Sequence, residues 1–183
     1  MANLDARPDA GIDARVNLGF AIDEIAGTFS GRDRIGIEID PALDGTILTP
    51  NAELLMLALR NLHENAIHHT ASPGTVRWSV DSRNGETVIA VEDEGPGIPP
   101  EELPLVTRRF FRGRYKSPAG SGLGLSIVEL ALRANGARLN LVNRTDRGGL
   151  RAEIIWPAQI ETPLAHAPRP GAGPGLHLAM RPS

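Results

Sequence analysis

Gly120-Ser121-Gly122-Leu123-Gly124-Leu125-Ser126 is a glycine-spaced run that opens a helix, and its spacing narrows the choice of fold. Backbone N–H groups at a helix start, with glycines removing the steric barrier, make a phosphate cradle. The dinucleotide fingerprint needs a glycine where Leu125 stands, and a Walker A loop needs a following Gly-Lys-Ser/Thr. Neither requirement is met, so the run is neither of those two phosphate motifs. A plain glycine-rich linker is the other reading. The helix behind the run, Leu125 to Ala134 with a stop at Asn135-Gly136, favours the cradle.

Upstream, Asp93-Glu94-Gly95-Pro96-Gly97-Ile98-Pro99 follows the apolar strand Val88 to Val91. A strand end holds a carboxylate rigidly, and glycines let backbone approach a flat ligand. Asp93 can accept a hydrogen bond from an exocyclic amine such as that of adenine. The same segment also reads as a simple turn. Between the two clusters, Asp93 to Gly124 is too long for a plain connection, and loops of that length are functional or disordered.

Further upstream, Thr49-Pro50 predicts a helix start with a hydroxyl N-cap, and the helix runs to about His69. Leu55, Leu59, Leu62 and Ala66 form its core stripe. Asn61 and Asn65 share one face four residues apart, with His68 and His69 a turn beyond. An amide oxygen can ligate Mg²⁺, a hard ion that takes its other ligands from water and phosphates. The pair reads equally as two amides turned to solvent.

The remaining elements follow from periodicity. Leu18, Ile22, Ile25 and Phe29 predict a helix; Ile35, Ile37 and Ile39 predict a half-buried strand, with a short second one at Thr46 to Thr49. Val76, Trp78 and Val80 alternate, Asn84-Gly85 turns the chain, and Val88 to Val91 pairs back. Leu139 to Val142 and Leu150 to Trp156 form a last hairpin. The expected fold is α+β: a two-layer α/β sandwich, one mixed sheet with helices on one face. Residues 1–15 read as a loose leader, 16–157 as the domain, and 158–183 as a disordered Pro/Ala/Gly-rich tail.

The bulk properties fit one such domain. The chain has 183 residues, 41% hydrophobic and 22% charged, with aromatics at 4%, so Leu, Ile, Val and Ala must build the core. A net charge of -3 gives no general attraction to nucleic acid or anionic lipid. Zero cysteines exclude disulfides and thiolate-held metals and fit a reducing cytoplasm. Residues 1–15 lack the apolar core of a signal peptide, and no run approaches the ~20 apolar residues that span a bilayer.

In order, Asn61–Asn65, Asp93–Gly97, Phe110-Phe111 and Gly120–Gly124 resemble the N, G1, F and G2 boxes of sensor histidine kinases. These kinases belong to the superfamily that also holds gyrase, Hsp90 and mismatch-repair ATPases, the Bergerat-fold or GHKL ATPases. The resemblance covers about Val16 to Pro157. It implies that Asp93 binds the adenine amino group, with Gly95, Gly97 and Ile98 walling the pocket. Asn65 holds the Mg²⁺ that bridges the ATP phosphates, with Asn61 beside it. Gly120, Ser121, Gly122, Leu123, Gly124 and Leu125 cover the phosphates as part of a lid that Phe110 and Phe111 anchor. Arg112, Arg114 and Lys116 either reach the γ-phosphate or the partner domain, or form a solvated lid surface.

Asn61 separates the classes within that resemblance. The superfamily's hydrolases carry Glu there as a general base, and an amide cannot take a proton at neutral pH. Glu64 points about 60° away from Asn61 and is a poor substitute. The departures are His68 for the usual Lys or Arg, His69 for a frequent Tyr, Thr107 for a phenylalanine, and a short lid. His68 and His69 are expected at the phosphates and near the ribose or adenine; their other reading is as ordinary helix-end residues.

No His followed by an acidic residue and, three later, by Pro occurs, so the phosphoacceptor is expected on a separate dimerisation domain. That makes the chain a catalytic fragment or a stand-alone version, acting indirectly on a response regulator. The resemblance also implies the cytoplasmic part of a membrane-anchored sensor. The alternatives are an anti-sigma-factor-type serine kinase, which Phe110-Phe111-Arg112-Gly113 disfavours, and an ATP-driven clamp, which Asn61 disfavours.

Overall fold

The alternation of Ile35, Ile37 and Ile39 turns one row of side chains inward, and these residues form a strand in the computed structural model, which describes residues 15–29, 34–111 and 122–157. The elements in chain order are β1 (Val16–Asn17), α1 (Leu18–Phe29), β2 (Ile35–Ile39), a 3-10 turn (Pro41–Gly45), β3 (Ile47–Leu48), α2 (Ala52–His69), β4 (Gly74–Arg83), β5 (Glu86–Glu92), α3 (Gly124–Ala134), β6 (Arg138–Asn143) and β7 (Leu150–Trp156). Five strands form one sheet in the order β2-β4-β5-β7-β6; β2 runs parallel to β4 and the other pairs are antiparallel. Asn84 and Gly85 join β4 to β5 with φ of 53° and 78°, the left-handed pair that a two-residue hairpin turn demands.

The two faces of this sheet differ in chemistry, and that places the helices. Val76, Trp78, Ile89, Val91, Ala152 and Ile154 face one way and share a buried core with Leu18, Ile22 and Ile25 of α1, Leu55, Leu59 and Leu62 of α2, and Val128 and Leu132 of α3. Each fully buried side chain of this size contributes about 1.5–3 kcal/mol. On the other face, Glu38, Arg77, Glu92 and Arg151 occupy paired positions across β2, β4, β5 and β7 with alternating charge. Arg77 meets Glu38 at 2.6 Å and Arg151 meets Glu92 at 2.8 Å. A charged ladder of this kind has no place under a helix, so all three helices pack on the apolar face.

Two expectations shift. The strand expected at Thr46 to Thr49 forms, but it pairs antiparallel with β1 as a separate two-stranded ribbon rather than joining the main sheet. The cap of α2 is Asn51, not Thr49: its Oδ1 accepts from the Leu54 N–H at 3.2 Å. The Asn51 N–H in turn donates to Asn135 Oδ1 at 2.8 Å, which ties the start of α2 to the end of α3. That tertiary bond holds Asn51 at the helix start, two residues beyond the hydroxyl.

Among the described residues no helix is long and apolar enough to cross a membrane. The expected tail, and the expected leader except Arg15, lie outside the described residues.

Candidate functional site

Asp93 stands immediately after β5 and is 6% exposed. Its Oδ1 accepts the Gly95 N–H at 2.9 Å and the Leu150 N–H at 3.0 Å, and its own backbone N–H donates to the Leu150 carbonyl at 3.0 Å. Burial pushes its carboxyl above the ordinary range. The N–H groups of Leu150 and Gly95, and the charges of His69 and Arg144, pull it part of the way back. A carboxylate fixed through one oxygen at a strand end has its second oxygen oriented as well.

The loop after Asp93 is held from two sides. On one, the close approach of Gly95 to the end of α2 leaves no room for a side chain, since a Cβ there would lie 2.5 Å from the His69 carbonyl oxygen. Glu94 accepts the Thr75 N–H at 3.0 Å and meets Arg147 at 2.9 Å. On the other side, Gly97 has φ +71°, and a Cβ there would stand 2.7 Å from Asn143 Oδ1. Asn143, at the end of β6, accepts the Ile98 N–H at 2.8 Å and donates to the Ile98 carbonyl at 2.6 Å. Arg144 reaches the Asp93 carbonyl at 3.1 Å and Asp146 at 2.8 Å. Asn143, Arg144 and Leu150 carry no motif in the sequence; the only local signal was the turn from Asp146 to Gly149.

The helices build the other wall. The asparagine pair lies under the start of α3: a Cβ on Gly124 would be 3.4 Å from Asn61 Oδ1 and 3.5 and 3.6 Å from Asn65 Nδ2 and Oδ1. These are ordinary van der Waals separations, so the start of α3 packs directly against both amides. Asn61 Nδ2 donates back to the Leu57 carbonyl at 2.9 Å, whereas Asn65 Nδ2 is buried without a hydrogen-bond partner among the described residues. The N-terminus of α3 has no side-chain cap, so its first N–H groups are not met by one of its own side chains. Of the residues expected in the cradle, Gly122, Leu123, Gly124 and Leu125 lie at the start of α3, and Leu125 packs partly buried against the core. His68 and His69 end α2 at the surface with rings 6.4 Å apart.

Arg112, Gly120 and Ser121, with the rest of the expected lid from Arg112 to Ala119, lie outside the described residues. The two ends of that segment are joined: the Phe110 N–H donates to the Gly122 carbonyl at 3.0 Å. This contact runs through the backbone, and the Phe110 side chain itself is 73% exposed. Among the described residues there is no group of three His, Cys, Asp or Glu that could hold a metal.

A mixed five-stranded sheet under three helices, with a buried carboxylate and an asparagine-lined helix junction on its rim, defines a sandwich domain of the ATP-binding class. This chain belongs to the histidine kinase-, DNA gyrase B- and HSP90-like ATPase family, whose profile matches residues 51–160. It is 32% identical over 123 residues to the sensor protein QseC of Escherichia coli O157:H7, covering 67% of this chain and 26% of that protein. It is 35% identical over 148 residues to the histidine-protein kinase/phosphatase MprB of Mycolicibacterium smegmatis, covering 77% of this chain and 28% of that protein. The chain thus spans about a quarter of the length of these curated relatives. Among solved structures, it resembles a mycobacterial sensor histidine kinase MprB with a TM-score of 0.68 at 26% identity, covering 79% of this chain and 97% of that one. The catalytic domain of the histidine kinase ThkA shares the fold, with a TM-score of 0.66 at 24% identity and coverage of 79% and 95%. These relatives and structural neighbours are histidine kinases, so the serine-kinase alternative is not favoured.

Proposed function

We propose that this chain is the catalytic domain of a two-component sensor histidine kinase, binding Mg·ATP and passing the γ-phosphoryl group to a histidine of a dimerisation domain. The observation that carries the reading is the meeting of Gly124 with Asn61 and Asn65 at one end of the site, while Asp93 stands fixed at the other. Asp93 Oδ1 is held by backbone, which leaves Oδ2 to accept from the adenine amino group. Gly97 and Ile98, clamped by Asn143, wall that end. The α3 N-terminus and Gly122 receive phosphate oxygens. Asn65 fits a Mg²⁺ ligand: it is a hard oxygen donor whose amide nitrogen has no partner among the described residues, and it lies beside the start of α3, where the phosphates are proposed to enter. That ion, when bound, supplies charge neutralisation to the phosphates.

Transfer breaks the bond from the γ-phosphorus to the bridging oxygen and forms a phosphorus–nitrogen bond to the acceptor imidazole. ADP leaves with the electron pair. Water is a poor competitor because Asn61 cannot act as a base and its amide is already tied to Leu57. Glu64 is exposed and does not replace it. His68 is assigned to the phosphates and His69 to the ribose or adenine; Arg112, Gly120 and Ser121, expected at the phosphates, lie outside the described residues. The parent protein places this domain on the cytoplasmic side of a membrane-anchored sensor, with a response regulator as the final acceptor.

The test is incubation with γ-labelled ATP and a separately made dimerisation domain. Label that is lost in acid and kept in alkali marks phosphohistidine and supports the reading. Acid-stable label on serine overturns it.

A further inference from the structure

His63 is a buried polar residue that the proposed chemistry does not use. It lies on α2 midway between Asn61 and Asn65 and is 0% exposed. Two residues turn a helix by about 200°, so His63 points into the core from the side opposite both asparagines. Its Nδ1 accepts from Trp78 Nε1 of β4 at 3.1 Å. Its ring lies 5.5 Å from that of Phe29 on α1 and 6.3 Å from the Trp78 indole, nearly parallel to the latter. Because Nδ1 accepts, the proton sits on Nε2, which is buried without a hydrogen-bond partner among the described residues.

That arrangement opposes folding: an unpaired buried donor is worse than an apolar side chain of the same volume. What the histidine adds is direction. Leu55, Leu59 and Leu62 press α2 on the sheet through contacts that tolerate a small rotation of the helix. The indole-to-imidazole bond does not, since it weakens steeply away from its axis. With side chains, a helix is about 5–6 Å in radius, so a rotation of ~10° moves a surface amide by about 1 Å. A displacement of that size in a positioning group can lower function by about a hundredfold.

We infer that His63 is a positioning residue for the phosphate end of the site. Through Trp78 it locks the rotation of α2 on β4, and so fixes where Asn61 and Asn65 present their amides beneath Gly124. The inference rests on the proposed nucleotide site. Asp93 takes its hydrogen bonds from Gly95 and Leu150, not from the His63–Trp78 pair, so the adenine end depends less on this tether than the phosphate end does.

Calorimetry of the whole chain with adenosine, and with ATP in the presence and absence of Mg²⁺, tests this. His63→Leu is expected to bind adenosine like wild type while losing roughly tenfold in Mg·ATP affinity and most of the Mg²⁺ enhancement. His63→Asn puts an acceptor oxygen near the place of Nδ1 and is expected to restore both. Trp78→Phe removes the same bond from the other side, and its loss should not add to that of His63→Leu. A purely structural role would lower the melting temperature of these variants and leave the ratio of Mg·ATP to adenosine affinity unchanged. That result in His63→Leu, or in Trp78→Phe if His63→Leu does not fold, overturns the inference. Wild-type chain that binds neither ligand overturns the nucleotide site itself, a distinct failure.

Discussion

Asn143 grips Ile98 with both halves of one amide, accepting its N–H at 2.8 Å and donating to its carbonyl at 2.6 Å. A strand end in the last hairpin therefore shapes the loop that follows Asp93. Asn143→Ala removes both hydrogen bonds to the half-buried Ile98 backbone, at about 0.5–1.5 kcal/mol each. The expected outcome is a lower melting temperature together with several-fold weaker ATP binding. Parallel thermal melts and calorimetry check it; an unchanged affinity would show that the Gly97–Ile98 loop does not line the ligand.

The carboxylate of Asp93 is expected to select adenine. Asp93→Asn removes a charge-assisted bond worth about 1.5–3 kcal/mol, which is roughly tenfold to over a hundredfold in affinity. Calorimetric titration with ATP reads this directly, and wild-type affinity in the variant would refute the assignment.

Asn65→Ala is expected to abolish the Mg²⁺ dependence of ATP binding while adenosine binds unchanged. Its amide nitrogen has no partner to lose among the described residues, so the fold should tolerate the change. A variant that keeps the full Mg²⁺ enhancement would make Asn65 an ordinary helix residue.

Alone, the chain is expected to bind Mg·ATP but neither to label itself nor to hydrolyse ATP at a useful rate. Adding a dimerisation domain should restore transfer slowly. Short flexible links give effective concentrations of about millimolar, so micromolar mixtures run orders of magnitude slower. Phosphate release and retained label on the chain alone decide this: rapid hydrolysis would place it with the ATPase clamps.

His63 also sets an acid limb in stability. Burial lowers its pKa from 6.5 to about 4, so the folded ring stays neutral while the unfolded one takes up a proton. Its contribution is fully present above pH 6.5 and is lost as pH falls toward 4. The span amounts to about 3 kcal/mol, at about 1.4 kcal/mol per unit. Melting temperature against pH should fall less steeply over this range in His63→Leu than in wild type.

Most of the fold was legible because its signals are local. Helical spacing gave α1, and the Asn84-Gly85 pair gave the β4–β5 turn. Both bounds of α1 and the end of α2 agree with the structure. The β1–β3 ribbon was only half visible, since strands of two residues are too short to show alternation. The α2 cap was misplaced because Thr49 and Asn51 are both good caps, and Asn135, far along the chain, holds Asn51 at the helix start.

By itself the sequence determined which segments are helix or strand, the order of the boxes, and the residue types on which the proposed adenine and phosphate contacts rest. Those depend on neighbours within a turn or a strand pair. Only the tertiary structure decided that Gly124 lies on Asn61 and Asn65, that Asn143 clamps Ile98, and that His63 is tethered to Trp78. Each of these depends on sheet register and helix rotation. They are fixed when the apolar face of the whole chain is buried at once, and no local pattern encodes them.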